Sequence, residues 1–282
     1  MSATVRDVLL LSSEYLASRG VPHARREAEN LLAHVLGTGR IGVYLLFERE
    51  LTDDERSTLR DMVRRRGRRE PLAYILGCAD FMGRRFRVTT DTLAPRPETE
   101  LLAEIAVRKL PRDAPARFAD VGTGCGALAA AILAERPAAS ALATDLSASA
   151  LAVARENFLA LGLAERVELV QCDLLPSNAA DLDLIAANLP YVSEADYEKL
   201  EPEVKAEPRN ALVAGLLGTE LIEALIARST SFLRPAGWLL LEFGYNQSER
   251  ILGALHRSGF VDVFIEEDLA GMPRVAGGSL PQ

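Results

Sequence analysis

The sequence predicts an α/β protein: a mostly parallel sheet covered by helices on both faces, preceded by a purely helical segment. Hydrophobic spacing is helical from residue 4 to residue 76, and after Pro97 short apolar runs alternate with helix-length stretches. Strands alternating with helices of this length pair in parallel, because each crossover helix carries the chain back to the same end of the sheet. The 282 residues, 49% hydrophobic and 26% charged, suffice for one large or two smaller domains with real cores.

Within the helical segment, Val5, Val8, Leu9, Leu11 and Leu16 recur near helical spacing. Ala28, Leu31, Leu32, Val35 and Leu36 do so again, and Gly37 and Gly39 close that stretch. Thr52-Asp53-Asp54-Glu55 resembles a capping box, in which Thr52 accepts from free N–H groups and Glu55 reaches back. The helix that follows ends in Arg64, Arg65, Arg66, Arg68 and Arg69, cations that suit its dipole. This run reads either as a solvated helix end or as a docking patch for an acidic partner. Arg84, Arg85 and Arg87 would extend the patch if the fold brought them near.

Phe81 to Val88 alternates as a β segment does, with Gly83 as a turn, and Pro95 and Pro97 then punctuate the chain. The expected division is a helical domain over 1–78, a hairpin linker over 79–97 and a sheet domain over 98–282. In the sheet domain, strands are expected at Ala116–Val121, Ser140–Asp145, Val167–Asp173, Leu182–Ala187, Trp238–Phe243 and Val261–Glu266. Helices are expected at Ala127–Ala134, Ser149–Leu161, Leu221–Leu233 and Glu249–Ser258.

Charge is uneven. The chain carries −8 overall; residues 1–90 hold 16 basic and 12 acidic side chains, and residues 91–282 hold 16 and 28. An acidic half at −12 matches an extended phosphate backbone poorly, which argues against a nucleic-acid substrate. Apolar runs such as Ala127–Leu133 fall well short of the roughly 20 residues of a membrane span. Met1 to Leu16 lacks the basic start, long apolar centre and cleavage site of a signal peptide. Cys78, Cys125 and Cys172 form no C-x-x-C pair, so no metal site and no disulfide framework are expected, and a reducing cytoplasm is the simplest setting.

Asp120-Val121-Gly122-Thr123-Gly124-Cys125-Gly126 follows the first strand and opens a helix. Glycines let the chain turn sharply and approach a ligand without a clashing Cβ. The spacing is G-x-G-x-G, not the G-x-G-x-x-G of pyrophosphate cradles. Asp145 ends the second strand, where a carboxylate accepts from ribose hydroxyls and repels a 2′-phosphate. In an acidic half this favours a cationic nucleoside, and S-adenosylmethionine, with its sulfonium and ammonium, fits. Asp173 and Leu174, at the end of the third strand, would border the adenine.

Asn188-Leu189-Pro190-Tyr191 ends the fourth strand and should face the same crevice. An amide or amino nitrogen is a poor nucleophile because its lone pair is delocalised. The Asn188 oxygen and the Leu189 carbonyl can each accept one of its N–H bonds, fixing the nitrogen for attack on a methyl group. Pro190 biases Leu189 toward an extended conformation, and the Tyr191 ring can stack on a planar group.

At this point the sequence resembles the PrmC/HemK family of protein-(glutamine-N5) methyltransferases. The resemblance covers nearly the whole chain. Besides the two loops, it rests on Glu70-Pro71-Leu72-Ala73-Tyr74 with Gly77, on Arg96-Pro97-Glu98-Thr99-Glu100, and on Glu207-Pro208-Arg209-Asn210-Ala211-Leu212 followed by Gly215 and Gly218. It implies a Rossmann-like class I methyltransferase sheet behind a small all-α substrate-recognition domain and a β-hairpin linker. It also implies that Gly122 to Gly126, Asp145, Leu174 and Asn188 contact S-adenosylmethionine. Asn188, Leu189, Pro190 and Tyr191 would hold the glutamine of the Gly-Gly-Gln loop of a class-1 peptide-chain release factor. Two departures stand out: Leu189 replaces the first proline of the family's N-P-P-Y, and Arg274 to Gly278 matches the last strand only loosely. N-L-P-Y is also the form found in ribosomal-RNA adenine-N6 dimethyltransferases. That reading, and the same glutamine chemistry on a ribosomal protein, are the alternatives.

Overall fold

A computed structural model describes residues 3–282. In chain order the elements begin with α1 (Val5–Ser18), α2 (Ala24–Val35), α3 (Arg40–Leu45), α4 (Asp53–Gly67), α5 (Leu72–Leu76), β1 (Cys78–Phe81) and β2 (Arg84–Arg87). There follow α6 (Pro97–Lys109), β3 (Ala116–Val121), α7 (Ala127–Glu135), β4 (Ala139–Asp145), α8 (Ala148–Ala160), β5 (Val167–Gln171) and β6 (Leu182–Ala187). The chain continues through β7 (Val192–Ser193), α9 (Glu194–Tyr197), α10 (Pro202–Lys205), β8 (Val213–Gly215) and α11 (Glu220–Ser229). It closes with β9 (Leu233–Glu242), α12 (Ser248–Arg257), β10 (Val261–Glu267) and β11 (Pro273–Ser279). Two compact units result: the chain up to Gly77 together with Glu201–Ala206, and Cys78–Leu200 together with Glu207–Gln282.

The helical unit packs Val5, Leu9, Leu16, Leu31, Leu32, Val43, Leu59 and Ile75 into one core. The capping box at Thr52 forms: Glu55 N donates to Thr52 Oγ1 at 3.2 Å and Thr52 N to Glu55 Oε2 at 2.9 Å. Such a cap contributes about 1 kcal/mol. The arginine run fits neither reading cleanly. Arg66 is only 5% exposed, and its guanidinium pairs with Glu27 at 2.7 Å and Glu203 at 3.0 Å. Arg69 pairs with Glu203 at 2.5 Å and Glu201 at 3.0 Å, and Arg65 with Glu70. Much of the run is therefore an internal ion network that fastens residues 201–206 into this unit.

In the other unit, β1 and β2 pair antiparallel across Met82 and Gly83, both at positive φ, as a two-residue hairpin turn requires. Seven strands form the main sheet in the order β10-β11-β9-β6-β3-β4-β5, with β11 antiparallel to both neighbours. The strand order reverses between β3 and β6, which opens a crevice beyond their carboxyl ends. The helix expected over Leu221–Leu233 stops at Ser229, and Leu233 instead opens β9 by pairing with Leu182. The apolar run there is shared, and a register shift after Leu182 lets β9 start early. The loosely matching last strand is fully formed over seven residues. Its Gly277 is small because a Cβ would lie 2.7 Å from Leu240 and Phe264 side-chain atoms.

Candidate active site

The glycine loop leaves β3 and is folded by the end of β4. Gly122 N and Thr123 N donate to Thr144 O at 2.9 and 2.8 Å. Gly124 N donates to Asp145 Oδ2 at 2.9 Å, and Asp145 Oδ1 accepts from Ser147 N at 2.9 Å. Gly122, Gly124 and Gly126 all have positive φ, so the turn needs glycine for its backbone alone. Beneath the loop, the buried Asp120 carboxylate accepts from Thr123 Oγ1 at 2.7 Å and Ala129 N at 3.1 Å. Burial pushes its pKa up to about 6 against those two bonds. Burial likewise pushes the Cys125 thiol up to about 12, which makes it inert packing.

The crevice contains about 1170 Å³ of space not filled by protein atoms, open solvent at its mouth included. Of the residues singled out in the sequence, Gly122, Thr123, Gly124, Cys125, Asp145, Asp173, Leu174, Asn188, Leu189 and Pro190 line it. Gly126 does not; it starts α7 over the Phe158 ring. Asp173 meets the crevice while its carboxylate pairs with Arg228 at 3.2 Å. Leu174 sits at φ 59°, its carbonyl accepting from Thr144 Oγ1 at 2.6 Å.

Asn188 Nδ2 donates to Thr99 Oγ1 at 2.9 Å, which leaves Oδ1 as the acceptor this side chain offers the crevice. Leu189 is 5% exposed, and its Cδ2 lies 3.0 Å from where a Cβ on Gly122 would sit. The Tyr191 ring is partly buried against the sheet core and does not line the crevice. Burial, with Glu242 nearby, pushes its hydroxyl up to about 12. Its carbonyl accepts from Gln247 Nε2 at 2.9 Å, and Gly218 packs directly on the same backbone.

Residues 7–77 match the PrmC N-terminal domain and residues 98–215 the methyltransferase small domain. A release factor glutamine methyltransferase of Geobacter sulfurreducens is 40% identical over 279 residues, spanning 98% of this chain and 97% of that one. Another, from Nitratidesulfovibrio vulgaris, is 42% identical over 277 residues, spanning 96% and 94%. The chain belongs to the release factor glutamine methyltransferase family. Among solved structures, a ribosomal protein L11 methylase from Lactobacillus delbrueckii subsp. bulgaricus matches with TM-score 0.50 and 25% identity over 66% of this chain and 80% of that one. The hMettl16 catalytic domain, in complex with the MAT2A 3′UTR hairpin 6, matches with TM-score 0.57 and 17% identity over 83% and 86%. The second of these likenesses shows the fold alone.

Other side chains support the crevice from outside the two loops. Arg96 lines the crevice and pairs at 2.5 Å with the buried Glu207, whose pKa burial pushes up to about 7 while Arg96 pulls it down. These two residues belong to the separate segments Arg96–Glu100 and Glu207–Leu212, which the fold joins. Asn157 is a buried clamp: Nδ2 donates to Cys125 O at 2.8 Å and Arg87 O at 2.9 Å, and Oδ1 accepts from Arg87 N at 2.8 Å. It ties the hairpin and the glycine loop to α8. Arg96, Glu207 and Asn157 stand among other polar residues and carry no signal of such a role in the sequence, whereas Glu242 is a lone charge in the apolar run Trp238–Phe243. Among the described residues no His, Cys, Asp and Glu cluster suits a metal ion, and no helix is long and apolar enough to cross a membrane.

Proposed function

We propose that this methyltransferase moves a methyl group from S-adenosylmethionine to the side-chain amide nitrogen of the glutamine in the Gly-Gly-Gln loop of a class-1 release factor. The observation that carries this reading is the shared crevice. The glycine loop and Asn188 meet in it at the sheet's reversal point, and Asn188 is oriented from behind by Thr99. The crevice suits the cofactor. Among the described residues, no atom beyond Gly124 and its chain neighbours lies within 4 Å of where a Cβ on Gly124 would project, and both Asp145 oxygens keep lone pairs for ribose hydroxyls. Leu174 and Leu146 supply apolar wall for a base.

When bound, S-adenosylmethionine supplies an electrophilic methyl on a sulfonium. The protein's own part is positioning. Asn188 Oδ1 and the Leu189 carbonyl accept the two amide hydrogens, which turns the nitrogen lone pair toward the crevice. Pro190 biases Leu189 toward an extended backbone, and Tyr191 braces the turn from the core side. Holding reactants about 3–3.5 Å apart in line is the main catalytic device this arrangement offers. No general base is needed before transfer, because the extra proton leaves the nitrogen afterwards. A release factor as substrate sets the reaction in the cytoplasm.

The test is incubation of the protein with labelled cofactor and purified release factor, ribosomal protein or ribosomal RNA, followed by mass spectrometry of the product. Label on the Gly-Gly-Gln glutamine is the expected result. Label confined to ribosomal RNA or to a ribosomal protein would overturn the substrate assignment.

A further inference from the structure

A buried acid lies behind Asn188–Tyr191, the reacting loop of the proposed function. Glu242 ends β9, is 1% exposed, and among the described residues has no hydrogen-bond partner on either carboxylate oxygen. Its strand neighbours Leu239, Leu240, Leu241 and Phe243 are all fully buried and apolar. The strand that carries it packs against α6 and pairs with β11, Val275 lying opposite Glu242; Glu98 and Thr99 from the first turn of α6, Tyr191 from the loop after β6, and Arg274 from β11 act on its charge. The Thr99 and Tyr191 hydroxyls are close enough to draw its acidity back, yet lie outside hydrogen-bond geometry. Arg274 is engaged with Asp268 at 3.3 Å. A carboxyl buried without partners is costly, so a purely structural position would favour an apolar residue here.

Thr99 is the link to the chemistry. Its Oγ1 accepts from Asn188 Nδ2 at 2.9 Å. A hydroxyl has one hydrogen and two lone pairs, and a hydrogen turned toward Asn188 would oppose that bond. An ionised carboxylate only accepts, so it draws the Thr99 hydrogen to its own side and leaves a lone pair facing Asn188. We propose that Glu242 is a positioning residue: it sets the Thr99 hydroxyl and, through it, holds Asn188 with Oδ1 toward the crevice. This rests on the reading of Asn188 as the group that holds the substrate amide.

The experiment compares Glu242→Gln, Thr99→Val, Thr99→Ser and the Glu242→Gln/Thr99→Val double variant, with Asn188→Ala as reference. Glu242→Gln and Thr99→Val should each lower kcat about 10-fold, with cofactor Kd and release-factor KM within about twofold of wild type. Thr99→Ser should keep activity, and the double variant should be no slower than the slower single one. Burial raises the Glu242 carboxyl from the usual range to about 7. The acceptor-only form therefore fills in as pH rises through that value, so wild-type kcat should climb there and the Gln variant should lose that limb.

Stability should move the opposite way. A raised pKa in the folded state means that its stabilising contribution is present at low pH and lost as pH rises through about 7. Glu242→Gln should thus melt higher than wild type at about pH 8, with the gap closing toward about pH 5. Full kcat in Glu242→Gln beside an inactive Asn188→Ala would overturn this proposal alone. Loss of turnover with a lower melting temperature would assign Glu242 to the scaffold and overturn it too. Activity surviving in Asn188→Ala would instead overturn the reading beneath it.

Discussion

Two loops leave the carboxyl edge of the sheet at its reversal point, and they are built differently. The glycine loop is held by what lies next to it: Thr144 and Asp145 at the end of the adjacent strand, and Asp120 directly beneath. The reacting loop is held from behind by parts of the chain far away in sequence, Thr99 on α6 and Gln247 and Gly218 beyond β8. The glycine loop, to which the proposed function gives the cofactor, is a local fold of the backbone. The Asn188–Tyr191 loop, to which it gives the substrate, is an aim imposed on one side chain by remote supports. Damage to the first should appear in cofactor affinity, and damage to the second in turnover.

The largest effect is expected where the aim itself is removed. Asn188→Ala should cut kcat by about 10²–10³-fold, the scale set by losing one positioned hydrogen-bonding group at a reacting centre. Single-turnover kinetics measure this directly. The fold should survive, because Asn188 is half-buried and its side chain bonds a single hydroxyl among the described residues.

A matched pair of glycine substitutions separates the loops next. A Cβ on Gly218 would lie 2.5 Å from Tyr191 O and 2.9 Å from Ser193 N, at a φ of +79°. Backbone must then move, and the backbone that moves is the reacting loop. Gly218→Ala should lower kcat by about 10-fold or more and cost about 1–3 kcal/mol of stability, with cofactor Kd little changed. A Cβ on Gly126 would instead lie 2.7 Å from the Phe158 ring, at a φ of +84°. Gly126→Ala should weaken cofactor binding first, as read by calorimetry. If both variants shift the same parameter, the two loops are not independent.

Asp145→Ala tests the glycine loop from its other side. It removes the acceptor for Gly124 N and the candidate acceptor for ribose hydroxyls. Hydrogen bonds to a charged group contribute about 1.5–3 kcal/mol, so cofactor Kd should rise by about 10–100-fold. At saturating cofactor, kcat should stay within a few fold of wild type. A collapse of kcat with Kd intact would show that Asp145 serves the reacting loop instead.

The same contrast explains what was legible in the sequence. The glycine loop could be read because its determinants are contiguous from Asp120 to Gly126, with Asp145 at the next strand end. The parallel sheet could be read because strand and helix periods differ. The supports of the reacting loop could not, because Thr99 lies 89 residues from Asn188 and Gln247 lies 56 from Tyr191. Spacing carries no signal across such distances. The arginine run was ambiguous for the same reason: the carboxylate facing Arg69 is Glu203, 134 residues on. The early start of β9 was hidden because Leu233 suits a helix end as well as a strand.

The smallest effect is expected where the loops touch. Leu189, which stands where the resemblance leads one to expect proline, keeps the carbonyl to which the proposed function gives the substrate amide, and adds a buried side chain against Gly122. Where proline would stiffen the turn by its ring, leucine wedges it against the cofactor loop. Leu189→Ala opens that wedge. Truncating a buried leucine costs about 2–5 kcal/mol where the cavity cannot collapse. Here the site borders an open crevice, so stability should fall toward the lower end of that range. Because this contact belongs to both loops, cofactor Kd and kcat should worsen together, each by about two- to fivefold. A change in kcat alone would mean that Leu189 acts only through its backbone, and that the link between the two loops runs elsewhere.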